Sequence, residues 1–431
     1  MSARHPTVRH LPGRPAVRRL LAGLALLPAL LSPVTAHAAP GGHAKARFDL
    51  QAHRGGLGLT TEESLEGFGK AMRLGVSTLE LDTQITKDLK VVVNHDRQIS
   101  GVKCRDTGPV TPGDPMYPYV GKYLKDLTLA QVRTLDCGYR QLPGFPEQEV
   151  VEGFRMVQLK DVLNLVRRYH AWGVKLNVET KVEAGAPEQT APQEVFVRRV
   201  YEEIHRSGIE RQVTIQSFDW GALRVMHRLA PKWPLVALTN YDFLEVGRPG
   251  ASPWLGGIDA DDYGGDFVRA AATLPGVTAL SPNYGFPQSG KVGDPGFRFY
   301  ADAAMVGEAH ARGLKVVPWT CDDPEAHTYM SMTRTDGTWA RNLFSCASSL
   351  DYKTPEVTRA TGSHEPAPCM PRTRPRPSSP STSTDPTRFF PPASLLPQHL
   401  RWRRLDPLHD PIAPHAHLRH GRLFGREPKS G

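Results

Sequence analysis

From about residue 48 to residue 320, short β-rich runs alternate with segments whose apolar positions recur every three or four residues. The runs Asp49–Arg54, Ser77–Gln84, Val91–His95, Lys175–Lys181, Val213–Phe218, Leu235–Thr239, Thr278–Tyr284 and Lys315–Thr320 have the length and composition of strands. Helical stripes fall between most of them. Leu65, Phe68 and Met72 share one face, with Thr60 and Glu63 reading as a capping box and Gly75 as the stop. Leu159, Val162, Leu163, Val166 and Tyr169 form a second stripe ending at Gly173, and Val197, Val200, Tyr201 and Ile204 a third ending at Gly208. Repeated β-then-α units over roughly 250 residues predict an α/β fold, either a TIM-type (β/α) barrel or a doubly wound sheet.

Three stretches depart from that rhythm. Residues 100–150 are rich in Gly, Pro and Tyr without a clear period, and read as a long insertion near a site. Residues 1–38 carry five arginines and no acid, an apolar stretch from Leu20 to Leu31, and then Ala36-His37-Ala38. That is the pattern of a secretory signal cleaved after Ala38, since the apolar stretch is too short to span a ~30 Å hydrocarbon core. Arg18-Arg19 leaves the twin-arginine route open. Pro, Arg, Ser and His dominate the C-terminal region, a composition that cannot bury a core and reads as disordered. A shifted GC-rich reading frame or a natural extension would give the same bias. The expected organisation is a signal peptide at 1–38, a linker at 39–47, a barrel domain at 48–345 and a disordered Pro/Arg-rich tail at 346–431.

The charge of +9 suggests an acidic partner until it is divided along the chain. Residues 1–38 contribute +5 and residues 354–431, with twelve Lys or Arg against six acids, +6, which leaves −2 for residues 39–353. The body is near neutral, so no nucleic-acid partner is expected, and no stable membrane anchor either. Five cysteines stand at 104, 137, 321, 346 and 369. Export would permit a Cys104–Cys137 disulfide pinning the insertion; two unpaired thiols are the other reading.

The densest chemistry lies in Gln51-Ala52-His53-Arg54-Gly55-Gly56, Leu79-Glu80-Leu81-Asp82 and Val91-Val92-Val93-Asn94-His95-Asp96. Alternate side chains of a strand share a face, so Glu80 and Asp82 point together while Leu79 and Leu81 point away. Two adjacent buried carboxylates need a shared proton or a cation, and a hard divalent ion suits oxygen ligands. Lys87-Asp88-Leu89-Lys90 is a plausible hairpin turn, and folding about it brings His95 back beside Asp82. His53-Arg54 adds a second imidazole and a guanidinium. Glu179 and Lys181 alternate on one strand face, with Leu176 and Val178 on the other. Together these parts suit phosphodiester cleavage: a metal and Arg54 neutralise phosphate while two histidines move protons.

With His53-Arg54-Gly55, Thr61-Glu62-Glu63-Ser64, Glu80-Leu81-Asp82, His95-Asp96, Asn177-Val178-Glu179-Thr180-Lys181, Gln216-Ser217-Phe218 and Pro318-Trp319-Thr320 in this order, the sequence resembles the glycerophosphodiester phosphodiesterase family over roughly residues 48–330. The resemblance implies a TIM barrel with His53 and His95 as the acid–base pair. It implies Glu80, Asp82 and Glu179 as ligands of Ca²⁺ or Mg²⁺, with Arg54 and Lys181 on the substrate phosphate. It also implies attack by the substrate's glycerol hydroxyl, a cyclic phosphate opened by water, and release of glycerol 3-phosphate and an alcohol. By location, the insertion and Trp319 are expected to wall the pocket. A small-molecule glycerophosphodiester is the expected partner; a barrel phosphodiesterase acting on phospholipid or glycerol-phosphate polymers and an inert binding barrel are the alternatives.

The chain departs from the family pattern twice. Glu63 stands where the family has asparagine, and Thr335–Ala340 replaces the expected Gly-x-Asp-Gly-Ile-Ile-Thr-Asp-Tyr-Pro strand. Only seven parallel strands are then evident, and the expectation is a barrel whose closing strand is missing or divergent, with an exposed pairing edge.

Overall fold

A computed structural model describes residues 48–341, apart from 289, 322–325, 327–329 and 331. The expected signal, linker and tail lie outside these residues. Strands and helices alternate: β1 (Asp49–Ala52), α1 (Leu65–Leu74), β2 (Thr78–Ile85), β3 (Val91–Val93), α2 (Leu129–Val132), α3 (Leu159–Arg168), β4 (Lys175–Thr180), α4 (Gln193–Ser207), β5 (Val213–Ser217), α5 (Trp220–Leu229), β6 (Leu235–Thr239), α6 (Phe267–Ala271), β7 (Val277–Pro282), β8 (Gly285–Phe286), β9 (Arg298–Phe299), α7 (Ala303–Ala311), β10 (Lys315–Val316) and β11 (Gly337–Ala340). The main sheet runs β10-β7-β6-β5-β4-β2-β1-β11, parallel throughout, with β3 returning antiparallel on β2; β8 and β9 pair separately. This is the (β/α) barrel of the sequence reading rather than a doubly wound sheet.

Of the two alternatives for the closing strand, missing or divergent, the structure has the divergent one, and the eight-stranded barrel is nearly closed. β11 pairs with β1 over four residues, Asp49 with Gly337 through Ala52 with Ala340. On its other side, Asp336 N donates to Val316 O at 2.8 Å, Trp339 N to Pro318 O at 3.3 Å, and Cys321 N to Trp339 O at 3.0 Å. These bonds bridge the two edges of the sheet, so eight parallel strands form a nearly closed ring.

The outward faces of the strands carry the apolar residues that the helices cover. Leu50, Leu79, Leu81, Leu176, Val178 and Ile215 are all at most 1% exposed and belong to one core with Phe68, Val162, Val166, Phe196 and Val200. α1 starts one turn later than the capping box predicts. Ser64 is the N-cap, its Oγ accepting from Gly67 N at 3.0 Å, and Gly75 ends the helix in the left-handed region. Glu63 is otherwise engaged, at φ 59° with its carboxylate turned to β2. The insertion builds its own small core from Val92, Ile99, Cys104, Tyr119, Leu124, Leu127, Val132, Leu135 and Met156, and Cys104 is bonded to Cys137. Among the described residues no helix is long and apolar enough to cross a membrane.

Gly337 gives closure a test. A Cβ there would sit 2.3 Å from Asp49 O, against backbone that cannot yield without parting β1 from β11. Gly337→Ala should cost about 1–3 kcal/mol in urea unfolding, the usual penalty of overpacking. Gly307→Ala in α7, where a Cβ meets nothing within 4 Å, should instead gain about 0.5–1 kcal/mol. Equal effects at the two sites would contradict the closure.

Candidate active site

β1 ends at Ala52, earlier than the sequence suggests, and His53–Gly55 form a tight 3-10 turn with Arg54 at φ 51°. A non-glycine residue rarely holds that conformation without compensation. Here Arg54 N donates to Glu80 Oε2 at 2.9 Å, so the turn is fixed against the strand beside it. Glu80 and Asp82 occupy alternate inward positions of β2, and register places Glu179 of β4 directly beside Asp82. The three carboxyl groups are buried and offer ligand oxygens all within 4.8 Å of one another.

Cations flank them. Lys181 Nζ lies 3.1 Å from Glu179 Oε1 and 3.7 Å from Asp82 Oδ1. Arg54 Nε is 3.4 Å from Asp82 Oδ2, and its Nη1 is 3.1 Å from Glu62 Oε2. His53 Nε2 stands 4.0 Å from Glu80 Oε2, and its Nδ1 faces Thr320 Oγ1 at 3.3 Å. The β2–β3 hairpin pairs Thr83 with Val93 and brings Asn94 N to Asp82 O at 3.0 Å, which sets the next residue, His95, over the same end of the barrel. His95 Nδ1 is 2.7 Å from Asp96 Oδ1.

Several further partners, most of them inside the motifs already named, have no role assigned by the sequence alone. Below the carboxylates an amide chain crosses the interior: Gln216 Nε2 donates to Glu80 Oε1 at 2.8 Å, Asn177 Nδ2 to Gln216 Oε1 at 2.6 Å and to Gln51 Oε1 at 2.9 Å. Glu63, in place of the family's asparagine, accepts from Asp82 N at 3.2 Å and puts a fourth carboxyl beside the cluster. Trp339 of the closing strand lies against His53 with ring centroids 5.1 Å apart, and Trp319 packs between Trp339 and Phe218. Trp319 thus stands at the barrel mouth, half-buried, as one member of an aromatic side facing the charged one. Asn177 and Gln216 belong to the Asn177–Lys181 and Gln216–Phe218 motifs, and the period of two turns both inward once a strand is assigned.

Burial dominates the electrostatics. It raises Glu80 well above the carboxylate range, with the Asp82 charge adding to it, and raises Glu179 to about 8 against the pull of Lys181. Glu63 is pushed up by burial and by Asp82 and Glu80. Burial would raise Asp82 too, but Lys181, His95 and Arg54 together outweigh it and hold that carboxyl well below its usual range. Both imidazoles are disfavoured as cations: burial and then Arg54 push His53 well down, and burial brings His95 to about 4.

Glu179 therefore takes up a proton when the metal-free chain folds near neutrality. Below its ordinary value of 4.5 the group is protonated in both states and pH has no effect through it. Above that, the unfolded chain ionises while the native one does not, so stability falls as pH rises toward about 8. Urea midpoints of chelator-treated protein should decline over that window, and Glu179→Gln should flatten the decline; an unchanged slope in the variant would assign it to other groups.

Comparison with known proteins agrees with this geometry. The profile of the glycerophosphoryl diester phosphodiesterase family matches residues 53–339. A glycerophosphodiester phosphodiesterase of Caldanaerobacter subterraneus is 25% identical over 289 residues, 66% of this chain and 90% of that protein. A solved Silicibacter pomeroyi structure of the glycerophosphoryl diester phosphodiesterase type covers 71% of this chain and 94% of its own at 25% identity, with a TM-score of 0.57. An Oleispira antarctica phosphodiesterase, solved with its product sn-glycerol-3-phosphate, shares the fold at 17% identity and a TM-score of 0.50, over 70% of this chain and 96% of its own. The match spans the barrel from the first histidine to the closing strand, and the chain belongs to the glycerophosphoryl diester phosphodiesterase family, as a barrel phosphodiesterase.

Proposed function

We propose that this phosphodiesterase hydrolyses glycerophosphodiesters to glycerol 3-phosphate and an alcohol, with Ca²⁺ or Mg²⁺ held by Glu80, Asp82 and Glu179. The observation that carries the reading is the buried trio of carboxylates flanked by Arg54 and Lys181, with His53 and His95 around the same opening. The residues fit a hard cation. All donors are carboxylate oxygens, two of the three groups are pushed toward protonation without one, and buried Asp82 Oδ2 makes no hydrogen bond among the described residues. When bound, such an ion supplies positive charge where the phosphodiester carries negative charge.

The chain's own groups do the rest. Arg54 and Lys181 lie where a phosphate over the carboxylates would meet them. Asp96 is held ionised, so the proton in the short His95–Asp96 contact sits on Nδ1 and leaves the Nε2 lone pair open to accept one. One imidazole, neutral, takes the proton of the attacking glycerol hydroxyl. The other, protonated once the anionic phosphodiester lies beside it, gives its proton to the departing alcohol's oxygen, and water then opens the cyclic phosphate by the reverse transfers. Family membership sets aside the inert binding barrel. The product named for the Oleispira antarctica neighbour, sn-glycerol-3-phosphate, supports a substrate whose phosphate carries an unacylated glycerol, as a glycerophosphodiester does.

His53→Ala and His95→Ala should keep cation binding and lose on the order of 10²–10⁴ in turnover, the usual worth of a positioned acid or base. Glu80→Ala, Asp82→Ala and Glu179→Ala should lose both. Product analysis across glycerophosphodiesters should show glycerol 3-phosphate whatever the alcohol. Near wild-type turnover in either histidine variant, or a free phosphorylated alcohol as product, would overturn the mechanism.

We also propose that the protein acts after export. The Arg-rich, then apolar, segment before Ala36-His37-Ala38 supports this, as does the Cys104–Cys137 disulfide, a bond that persists in oxidising compartments. N-terminal sequencing of material secreted by the native host should begin at Ala39; intact chain confined to its cytoplasm would refute export.

A further inference from the structure

We propose that Lys103, in the insertion, is a positioning residue that holds both His95 and Arg54 in their working orientations. The proposal rests on the acid–base reading of His95 given above. Lys103 Nζ lies 2.6 Å from Glu62 Oε1 and 2.9 Å from Asp96 Oδ2. Each of those carboxylates spends its other oxygen on the reaction centre: Glu62 Oε2 on Arg54 Nη1 at 3.1 Å, Asp96 Oδ1 on His95 Nδ1 at 2.7 Å. One ammonium therefore ties together two acids that would otherwise repel, and each acid aims one group at the substrate.

An ordinary surface salt bridge would do little, because solvent screens it and ordering a long side chain costs entropy. Here both objections are weakened. The side chains of Glu62, Lys103 and Asp96 are 9%, 20% and 29% exposed, so screening is limited. The backbone that presents Lys103 is already clamped. Lys103 N donates to Ser100 O at 3.1 Å, and Cys104 is bonded to Cys137. Arg105 and Asp136 then exchange both backbone hydrogen bonds, at 2.9 and 3.0 Å, while the Arg105 guanidinium grips the Asp136 carboxylate at 2.8 and 3.0 Å. Lys103 also helps draw Glu62 and Asp96 below their ordinary range, in each case against burial. Without it, Asp96 loses its second partner and is free to turn from His95 Nδ1, and the tautomer with an open Nε2 is no longer favoured. Glu62 is released toward Arg54 alone, which shifts the guanidinium from the phosphate position.

The test is a double-mutant comparison on the full chain, with kcat measured on glycerophosphoethanolamine and folding followed by thermal melts. Lys103→Met should lower kcat on the order of 10- to 100-fold, the usual range for a residue supporting a site group. Lys103→Arg, which keeps the charge between the two carboxylates, should recover most of it. In a His95→Ala background Lys103→Met should cost far less than it does alone, because much of its effect passes through that imidazole. Wild-type turnover in Lys103→Met beside a crippled His95→Ala would overturn the proposal, as would fully additive losses, which mark a merely structural role. A His95→Ala protein of normal activity would instead overturn the acid–base reading beneath it. Should Lys103→Met fail to fold, Lys103→Gln carries the same comparison.

Discussion

Three carboxylates buried side by side at the mouth of a barrel are the constraint on which the rest of this structure turns. Glu80, Asp82 and Glu179 cannot all ionise there without positive charge close by, and the protein supplies only part of it, through Arg54 and Lys181. Their position is not adjustable. Leu79, Leu81, Leu176 and Val178 on the reverse faces of the same strands are locked into the helix-covered core, and a slip of one residue would turn leucines inward and acids outward. The apolar core thus enforces an electrostatic strain that it does nothing to relieve.

That strain divides the barrel interior. The half built from β1, β2, β4 and β5 is polar, with Asn177 donating to Gln51 and to Gln216, and Gln216 donating in turn to Glu80. The half closed by β6, β10 and β11 is apolar, with Leu238, Val317 and Trp339 packed together and Phe218 and Trp319 against them. A phosphodiester has the same two-sidedness, an anionic centre and an ester substituent. The insertion closes over the polar side, where Lys103 reaches Glu62 and Asp96.

How much of this was legible depended on how local each determinant is. Glu80-Leu81-Asp82 and Glu179-Thr180-Lys181 declared themselves because a strand's period of two decides which side chains share a face. His95 followed from a short hairpin turn. The closing strand did not follow, because Gly337–Ala340 has only one apolar–polar alternation and owes its conformation to Asp49 on one side and Val316 and Pro318 on the other. Its glycine, which weakens it as a strand in sequence terms, is what lets the two backbones approach. The helix start was misread for a related reason: Glu63 had a better partner in Asp82 N, from β2, than in the helix terminus. Lys103 sits in a stretch without period, and nothing short of the folded insertion brings it to Glu62 and Asp96.

The carboxylate cluster should complete its charge balance with a divalent cation. Calorimetric titration of Ca²⁺ or Mg²⁺ into chelator-treated protein at pH 7, repeated in buffers of different ionisation enthalpy, tests it most directly. Because burial pushes Glu179 up to about 8 and Glu80 well above its usual range, binding should displace protons. One ion should bind per barrel with net proton release, and Asp82→Asn should show neither. Absence of binding, or binding with no proton release, would contradict it.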